Sequence, residues 1–291
     1  MQLLENVPLR PRTTMHIGGI ARYFAELMTK QDAEEAWRFA AKHRLPLIPI
    51  GAGSNTIFAD ETIEAVVIHV QAEDVKFEEN CTRVQAGKYL ASLVTECAKQ
   101  GLDLSVLTGI PGTVGGAIVG NAGQGPKGIW TDAFVQTVTA FVSGQWKTFT
   151  RAECGFQYRE SIFKTLPSAV IWAVDLIIPK KETRDIEAEI VKLLKHRREA
   201  QPSSKTAGSC FKALPDGTPS WKIIEGAGLR GHCVGGIHLS EKHANFLMNE
   251  NNGTFKDACS LVQEVRKRTG VPLKLEMRFY DSQGRVAGEG S

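Results

Sequence analysis

Apolar and polar residues follow one another along the first third of the chain in a pattern that predicts alternating strands and helices. Short apolar runs predict strands at residues 22–27, 46–50, 65–70 and 82–86. Apolar residues at helical spacing predict one helix that begins after Thr29, with Asp32 completing a capping box, and another helix at residues 89–100. This mixture predicts an α+β or α/β fold rather than a β-sandwich.

The rest of the chain continues the mixed pattern. Strands are predicted at residues 135–142, 146–150, 169–178 and 273–280, and helices at 184–199, 220–225 and 255–268. Pro202 cannot continue a helix, and the polar residues around it predict a domain boundary. We therefore expect a first domain at residues 1–200, with subdomains at about 1–70 and 71–200, and a second at 201–291, whose last strand carries Glu276.

Length, composition and charge narrow the classes of protein to consider. A chain of 291 residues with 42% apolar and 23% charged residues is typical of a two-domain globular protein. The net charge of +3 argues against a nucleic-acid binder, and no apolar run is long enough to span a membrane. The N-terminus lacks the pattern of a secretory signal, which indicates a cytoplasmic protein. The six cysteines form no CxxC motif, so no metal site is expected.

Two glycine-rich segments carry the first functional signal. Residues 51–56 (GAGSNT) follow a predicted strand directly, but they match neither the Rossmann fingerprint nor the Walker A loop, and an ordinary tight turn is an alternative. Residues 109–123 contain six glycines interleaved with apolar residues, which is costly in chain entropy. We interpret this second segment as backbone that lies flat against a large ligand, with N–H groups available to a phosphate.

Six motifs then appear in order: GAGSN at 51–55, GIPGTVGGA at 109–117 with NAG at 121–123, YRES at 158–161, AGSCFK at 207–212, KHANF at 242–246 and LE at 275–276. Together they resemble the UDP-N-acetylenolpyruvoylglucosamine reductase (MurB) family, and the length indicates its shorter branch. The resemblance implies an α+β fold, with an FAD-binding domain of the vanillyl-alcohol-oxidase (PCMH) type and a smaller α/β substrate domain. It also implies a monomer that binds FAD non-covalently and uses NADPH to reduce an enolpyruvyl UDP-sugar in peptidoglycan precursor synthesis.

The resemblance assigns roles to particular residues. FAD-binding residues are expected at Gly51, Gly53, Ser54, Asn55, Gly109, Pro111, Gly112, Thr113, Gly115, Gly116, Asn121 and Gly123. Arg159 is expected to hold the substrate carboxylate, Glu276 to stabilise the charge that develops there, and Ser209 to donate the proton. Contacts to the substrate are expected from Tyr158, Lys212, Lys242, His243 and Asn245.

The residues themselves leave alternatives open at several of these positions. Arg159 could form a structural ion pair with Glu160, and Cys210 is intrinsically a stronger acid than Ser209. A lone lysine such as Lys212 or Lys242 is most often a solvated surface charge. The pair Arg197 and Arg198 is interpreted as the outer face of a helix.

The chain also departs from the family pattern. Residues 124–128 differ from those of many relatives, which puts flavin contacts there in doubt. Ala213 and Leu214 replace an Asn-Pro pair, and the polar group that Ala213 lacks could be supplied by Asn245 or Lys242. Two rival functions are an oxygen-using flavin oxidase, disfavoured because residues 51–60 contain no histidine to tether the flavin, and an inactive UDP-sugar sensor.

Overall fold

The protein has the mixed helix and strand content that the pattern predicts, in a computed structural model that describes residues 1–124 and 128–287. Its α-helices are α1 (Lys30–His43), α2 (Leu90–Lys99), α3 (Val114–Gly120), α4 (Thr183–Ala200), α5 (Ser220–Gly226) and α6 (Phe255–Thr269). Its strands are β1 (Leu3–Pro8), β2 (Ile20–Leu27), β3 (Leu47–Ile50), β4 (Thr56–Phe58), β5 (Thr62–Val70), β6 (Val75–Phe77), β7 (Thr82–Gln85), β8 (Val135–Val142), β9 (Gln145–Thr150), β10 (Val170–Leu176), β11 (Cys233–Val234), β12 (Ile237–Leu239), β13 (Leu247–Asn249), β14 (Arg278–Tyr280) and β15 (Val286–Ala287). Within the described residues, no helix combines the length and apolar character needed to cross a membrane.

The chain divides into two compact units. The first contains Met1–Leu3, Ala25–Ala52 and Val66–Arg197, and the second contains Leu4–Phe24, Gly53–Ala65 and Arg198–Ser291. The division after Arg197 lies close to the domain boundary expected at residue 200. The predicted domains differ from the units because two N-terminal segments group with the C-terminal residues.

The first unit is built on an antiparallel sheet with the strand order β6-β7-β10-β8-β9. Strands β8 and β10 are buried along almost their whole length, because α3 packs against β7 and β10. The predicted strand at residues 135–142 is confirmed as β8. In the same unit β3 pairs in parallel with β5, with Leu47 opposite Val66, and α1 contacts β3.

The second unit explains why two N-terminal segments belong with the C-terminus. Strand β4 pairs in parallel with β14, with Ile57 opposite Phe279, although more than two hundred residues separate them. Met15 and Ile57 are fully buried in one apolar cluster with Phe211. A small antiparallel sheet, β11-β12-β13, contacts α6, and both elements contribute side chains to this cluster.

The predicted last strand is shorter than expected. Only Arg278–Tyr280 forms β14, whereas Leu275 makes a single bridge to Phe211 and Glu276 lies in a bend. The expectation that a strand carries Glu276 is therefore corrected. The reason is that the backbone around Glu276 pairs with residues 210–212 and not with β4.

Helices α1 and α6 each begin with a capping box. The one predicted at Thr29 and Asp32 is confirmed, and an equivalent box joins Thr254 and Asp257 at the start of α6. The Asp257 carboxylate accepts the Thr254 N–H at 3.0 Å, and this backbone hydrogen bond is the main cause that lowers the pKa of Asp257. A carboxylate in the first turn also interacts favourably with the helix dipole.

We therefore expect replacement of Asp257 by alanine to lower the free energy of unfolding by about 1 kcal/mol at neutral pH. Because the folded-state pKa is lowered, this difference should be present above the ordinary aspartate pKa and should disappear as the pH falls through the folded-state value. Urea unfolding of both proteins at several pH values measures it. Glu187→Ala on the exposed face of α4 is the control, and a difference at Asp257 that persists in acid would contradict the prediction.

Candidate active site

The first glycine-rich segment, residues 51–55, begins directly after β3. A Cβ atom at Gly51 would lie 2.4 Å from the Thr113 hydroxyl, so only glycine allows this close approach to the second glycine-rich segment. Gly53 has a φ of 63°, and a Cβ atom there would lie 2.1 Å from the carbonyl oxygen of Arg12. Gly51 is therefore required by the Thr113 side chain, and Gly53 by the neighbouring backbone and its own positive φ.

The backbone N–H groups of residues 51–55 are suited to binding a phosphate. Among residues 1–124 and 128–287, the backbone N–H groups of Ala52, Gly53 and Asn55 donate no hydrogen bond, and Ser54 lies between them. The Asn55 side chain instead donates to the carbonyl oxygen of Ala207 at 3.1 Å, which holds the end of the segment. Consecutive N–H groups on small residues are suited to binding phosphate oxygens. The segment thus fits the diphosphate of the FAD that the resemblance implies.

The second glycine-rich segment, residues 109–123, contains the helix α3 at Val114–Gly120, an element that the sequence pattern does not predict. The Thr113 side chain caps the helix by accepting the Gly116 N–H at 3.3 Å, and Asn121 ends it in the left-handed conformation with a φ of 40°. The signal that could have revealed the helix is a threonine cap followed by apolar residues at helical spacing, all of which are buried: Val114, Ala117 and Ile118.

The glycines of α3 have two different functions in the structure. Gly115 packs against Ala86, where an added Cβ atom would be 3.0 Å away. A Cβ atom at Gly116 would meet only the Thr113 hydroxyl, at 3.6 Å, and one at Gly120 would meet nothing within 4 Å. Gly116 and Gly120 are four residues apart, so they leave one side of α3 as bare backbone. That side can accept a flat ring system at close range.

The remaining predicted FAD residues surround α3. Gly109 and Gly112 have φ values of 74° and 113°, and Pro111 between them is exposed. Gly123 cannot carry a side chain, because a Cβ atom would lie 2.2 Å from the Trp130 ring. The departure expected at residues 124–128 falls largely on residues 125–127, which lie outside the described residues.

Arg159 lies in a tight turn of the first unit. Gln157 and Glu160 exchange backbone hydrogen bonds across the turn, and Arg159 has a φ of 58°, which is uncommon for a residue with a side chain. Its guanidinium donates to the carbonyl oxygens of Asn121 at 3.4 Å and Gly123 at 2.6 Å. The guanidinium is therefore oriented by the backbone that follows α3, and it also lies 5.5 Å from the ring of Tyr158.

Arg197 is a residue that the sequence analysis missed. Its guanidinium donates to the carbonyl oxygen of Gly109 at 3.1 Å, so its interpretation as part of an outer helix face is wrong. Burial lowers the pKa of Arg197, and the nearby charge of Arg159 lowers it further. A signal was present in the sequence, because Arg197 continues the apolar stripe of α4 at Ile186, Ile190 and Leu193.

In the second unit, residues 209–212 lie between two other segments. On one side, Ser209 bridges Phe246, and the Cys210 N–H donates to the Asn245 carbonyl oxygen at 2.7 Å. On the other side, the Glu276 N–H donates to the Cys210 carbonyl oxygen at 2.8 Å. The structure therefore places the backbone of Glu276 beside Cys210, the residue that follows Ser209. Gly208, with a φ of 80°, forms the turn that leads into Ser209.

Cys210 is less accessible than its neighbour Ser209. Its side chain is fully buried in the apolar cluster of the second unit, whereas Ser209 is partly exposed. Burial raises the pKa of the Cys210 thiol well above its ordinary value. A buried thiol with a raised pKa is a poorer proton donor to a substrate than its intrinsic acidity indicates, which favours Ser209.

The four predicted substrate contacts of this unit differ in their surroundings. Lys212 is half-buried, and Lys242 is exposed with its ammonium donating to the Arg198 carbonyl oxygen at the end of α4. His243 lies 4.7 Å from the Phe246 ring, and burial lowers its pKa. Asn245 is buried, with both ends of its carboxamide bound to Phe211, at 3.0 and 2.8 Å. Its expected substrate contact is corrected, because the carboxamide is used by the fold.

Two family models match different parts of the chain. Residues 201–280 match the family model described as UDP-N-acetylenolpyruvoylglucosamine reductase, C-terminal domain, and residues 21–142 match the FAD binding domain. A curated UDP-N-acetylenolpyruvoylglucosamine reductase of Protochlamydia amoebophila is 32% identical over 96% of this chain and 95% of its own length. The Bacillus velezensis reductase is 34% identical over 95% of this chain and 92% of its own length.

A solved structure shows the same similarity in three dimensions. The crystal structure of UDP-N-acetylenolpyruvylglucosamine reductase (MurB) from Thermus caldophilus superposes with a TM-score of 0.83 at 31% sequence identity. The match covers 96% of this chain and 99% of that one. The similarity therefore extends over both compact units.

Proposed function

Because the chain belongs to the UDP-N-acetylenolpyruvoylglucosamine reductase family, we propose that it is an FAD-dependent oxidoreductase of peptidoglycan precursor synthesis. It reduces the enolpyruvyl ether of UDP-N-acetylglucosamine-enolpyruvate to UDP-N-acetylmuramate, with NADPH as electron donor. The observation that carries this conclusion is identity above 30% over nearly the full length of both proteins.

The two family matches support a separate function for each part of the chain, FAD binding in the first and substrate binding in the second. Residues 1–200 form the FAD-binding domain, of the vanillyl-alcohol-oxidase (PCMH) type, and residues 201–291 form the smaller substrate-binding domain. FAD is held non-covalently by residues 51–55 and 109–123. Two observations support this assignment: the N–H groups of Ala52, Gly53 and Asn55 donate no hydrogen bond within the described residues, and one side of α3 is bare backbone. The enzyme acts as a monomer in the cytoplasm.

The reaction sets three requirements for the protein. A hydride must reach the methylene carbon of the enolpyruvyl group, and a proton must reach the carbon that bears the carboxylate. FAD, when bound and reduced by NADPH, would supply the hydride. As the hydride adds, negative charge develops on the substrate carboxylate, so the protein must stabilise that charge and supply the proton.

Arg159 is the residue proposed to hold the substrate carboxylate. A guanidinium stays protonated and matches the planar shape of a carboxylate. Its contacts with the carbonyl oxygens of Asn121 and Gly123 support this role, because they orient the guanidinium before substrate binds. Preorganised charge stabilises a transition state without reorganisation at the moment of reaction.

Glu276 and Ser209 are proposed to act at the same group. A protonated Glu276 donates a hydrogen bond to the enolate-like oxygen, and the Ser209 hydroxyl gives its proton to the carbon that bears the carboxylate. The backbone hydrogen bond between Glu276 and Cys210 supports this assignment, since it fixes Glu276 beside the residue that follows Ser209.

Binding of the UDP group is assigned to the polar residues that remain: Tyr158, Lys212, Lys242 and His243. The lowered pKa of His243 indicates a neutral ring at pH 7. Its Nδ1 accepts the Asn245 N–H at 3.3 Å, which leaves the Nε2 hydrogen as the donor. His243 is therefore proposed as a hydrogen-bond donor, and the two lysines as the charges that attract the diphosphate.

Gly116→Val tests the FAD assignment. An added Cβ atom at Gly116 meets only the Thr113 hydroxyl, at 3.6 Å, so we expect the variant to fold but to place its methyl groups where the cofactor must approach the backbone. We expect purified protein with little flavin absorbance after FAD is added. Gly226→Val, at a helical glycine with nothing within 4 Å, is the matched control. Full flavin content and normal reduction by NADPH in Gly116→Val would contradict the assignment.

Arg159→Ala and Glu276→Gln test the carboxylate assignment. Each should slow reoxidation of the reduced enzyme by the enolpyruvyl substrate by about 10²–10³-fold, the usual loss on removal of one electrostatic partner. Reduction by NADPH should be nearly unchanged. Anaerobic stopped-flow absorbance separates the two half-reactions, with Arg151→Ala and Glu250→Gln as exposed controls. Equal damage to both half-reactions would show that neither residue acts on the substrate carboxylate.

Ser209→Ala and Cys210→Ala distinguish the proton donor from its neighbour. Ser209→Ala should greatly slow reoxidation by substrate, while Ser209→Cys should retain part of the rate because a thiol can also give a proton. In deuterated solvent, Ser209→Ala should also exchange deuterium into the methylene position as the intermediate returns to substrate. Cys210→Ala should turn over normally because its thiol is buried. Loss of product formation in Cys210→Ala alone would reverse the assignment.

A further inference from the structure

The Asn245 side chain makes an unusual pair of hydrogen bonds. The Phe211 N–H donates to Asn245 Oδ1 at 3.0 Å, and Asn245 Nδ2 donates to the Phe211 carbonyl oxygen at 2.8 Å. One carboxamide thus satisfies both backbone groups of one residue, as a neighbouring strand would do. The Asn245 main chain adds a third contact, because its carbonyl oxygen accepts the Cys210 N–H at 2.7 Å.

Phe211 depends on this carboxamide because of how its segment is paired. The backbone of Cys210 and Lys212 bonds to Glu276 and Lys274 on the other side, so the Phe211 N–H and carbonyl point away from that partner. Phe211 is 1% exposed, and water cannot take the place of a missing partner there. Without Asn245, two buried backbone groups would be unsatisfied two residues from Ser209.

We infer that Asn245 is a positioning residue for the proton transfer assigned to Ser209. This inference rests on the proposed function of Ser209. Three hydrogen bonds from one residue hold the backbone of Cys210 and Phe211 and so define where the Ser209 hydroxyl lies relative to substrate. Small displacements of a reacting group, of about 1 Å, can cost about 10²-fold in rate.

The role requires a carboxamide specifically. Aspartate has the same shape, but as a carboxylate it cannot donate to the Phe211 carbonyl oxygen. Serine is too short to reach both groups, so at least one of them loses its partner. We therefore expect Asn245→Asp and Asn245→Ser to displace Ser209 without changing the groups that touch the substrate.

The test measures both half-reactions of the FAD-loaded enzyme by anaerobic stopped flow. Asn245→Asp should slow reoxidation by the enolpyruvyl substrate by about 10–10²-fold and leave reduction by NADPH unchanged. Asn245→Ser should behave similarly and is the variant to use if the aspartate variant does not fold. Asn249→Asp is the matched control, because Asn249 is equally buried and also bridges two backbone groups, those of Met15 and Gly253.

A double-mutant cycle with Ser209→Ala separates positioning from a general loss of stability. If Asn245 acts through Ser209, its substitution should cause little further slowing in the Ser209→Ala background. Full additional slowing in that background, or an equal effect of Asn249→Asp, would overturn the inference. A Ser209→Ala enzyme that reoxidises at the normal rate would instead overturn the proposed role of Ser209, and the positioning role with it.

Discussion

Hydrogen bonding along both edges of residues 209–211 is the constraint on which the candidate site of the second unit depends. The segment is too short to be a strand of a sheet, yet Cys210 and Phe211 are buried, so each of their backbone groups needs a partner. Residues 274–276 supply partners on one side and Asn245 supplies them on the other. Because the same contacts bond Glu276 to Cys210, satisfying the buried backbone also places one proposed catalytic residue beside the neighbour of the other, Ser209.

A different constraint acts in the first unit, where glycine residues keep certain positions free of a side chain. Gly51 allows the two glycine-rich segments to meet, and Gly115 allows α3 to approach Ala86. Gly116 and Gly120 have no such structural requirement, since added Cβ atoms there would meet little or nothing. Glycine is entropically costly inside a helix. Its presence on the bare side of α3 is therefore best explained by close approach of a flat cofactor.

Charge in the first unit is concentrated beside these glycines. Arg159 and Arg197 donate to backbone carbonyl oxygens at opposite ends of residues 109–123, and the charge of Arg159 contributes to the lowered pKa of Arg197. The positive charges of the two guanidiniums repel each other, and an anion bound at Arg159 would reduce that repulsion. A substrate that gains negative charge on its carboxylate during the reaction is suited to such a place.

The sequence by itself determined the elements whose signals are local. The capping box at Thr29 and strand β8 were predicted because caps and apolar periodicity act over a few residues, and the ordered motifs indicated the family. Glycine density, by contrast, concealed α3. Three contacts were decided only by the tertiary structure. Strand β4 pairs with β14, the Arg197 guanidinium donates to the Gly109 carbonyl oxygen, and the Asn245 side chain accepts the Phe211 N–H. Such contacts join residues far apart in the chain, and their energy depends on burial and geometry that no local pattern contains.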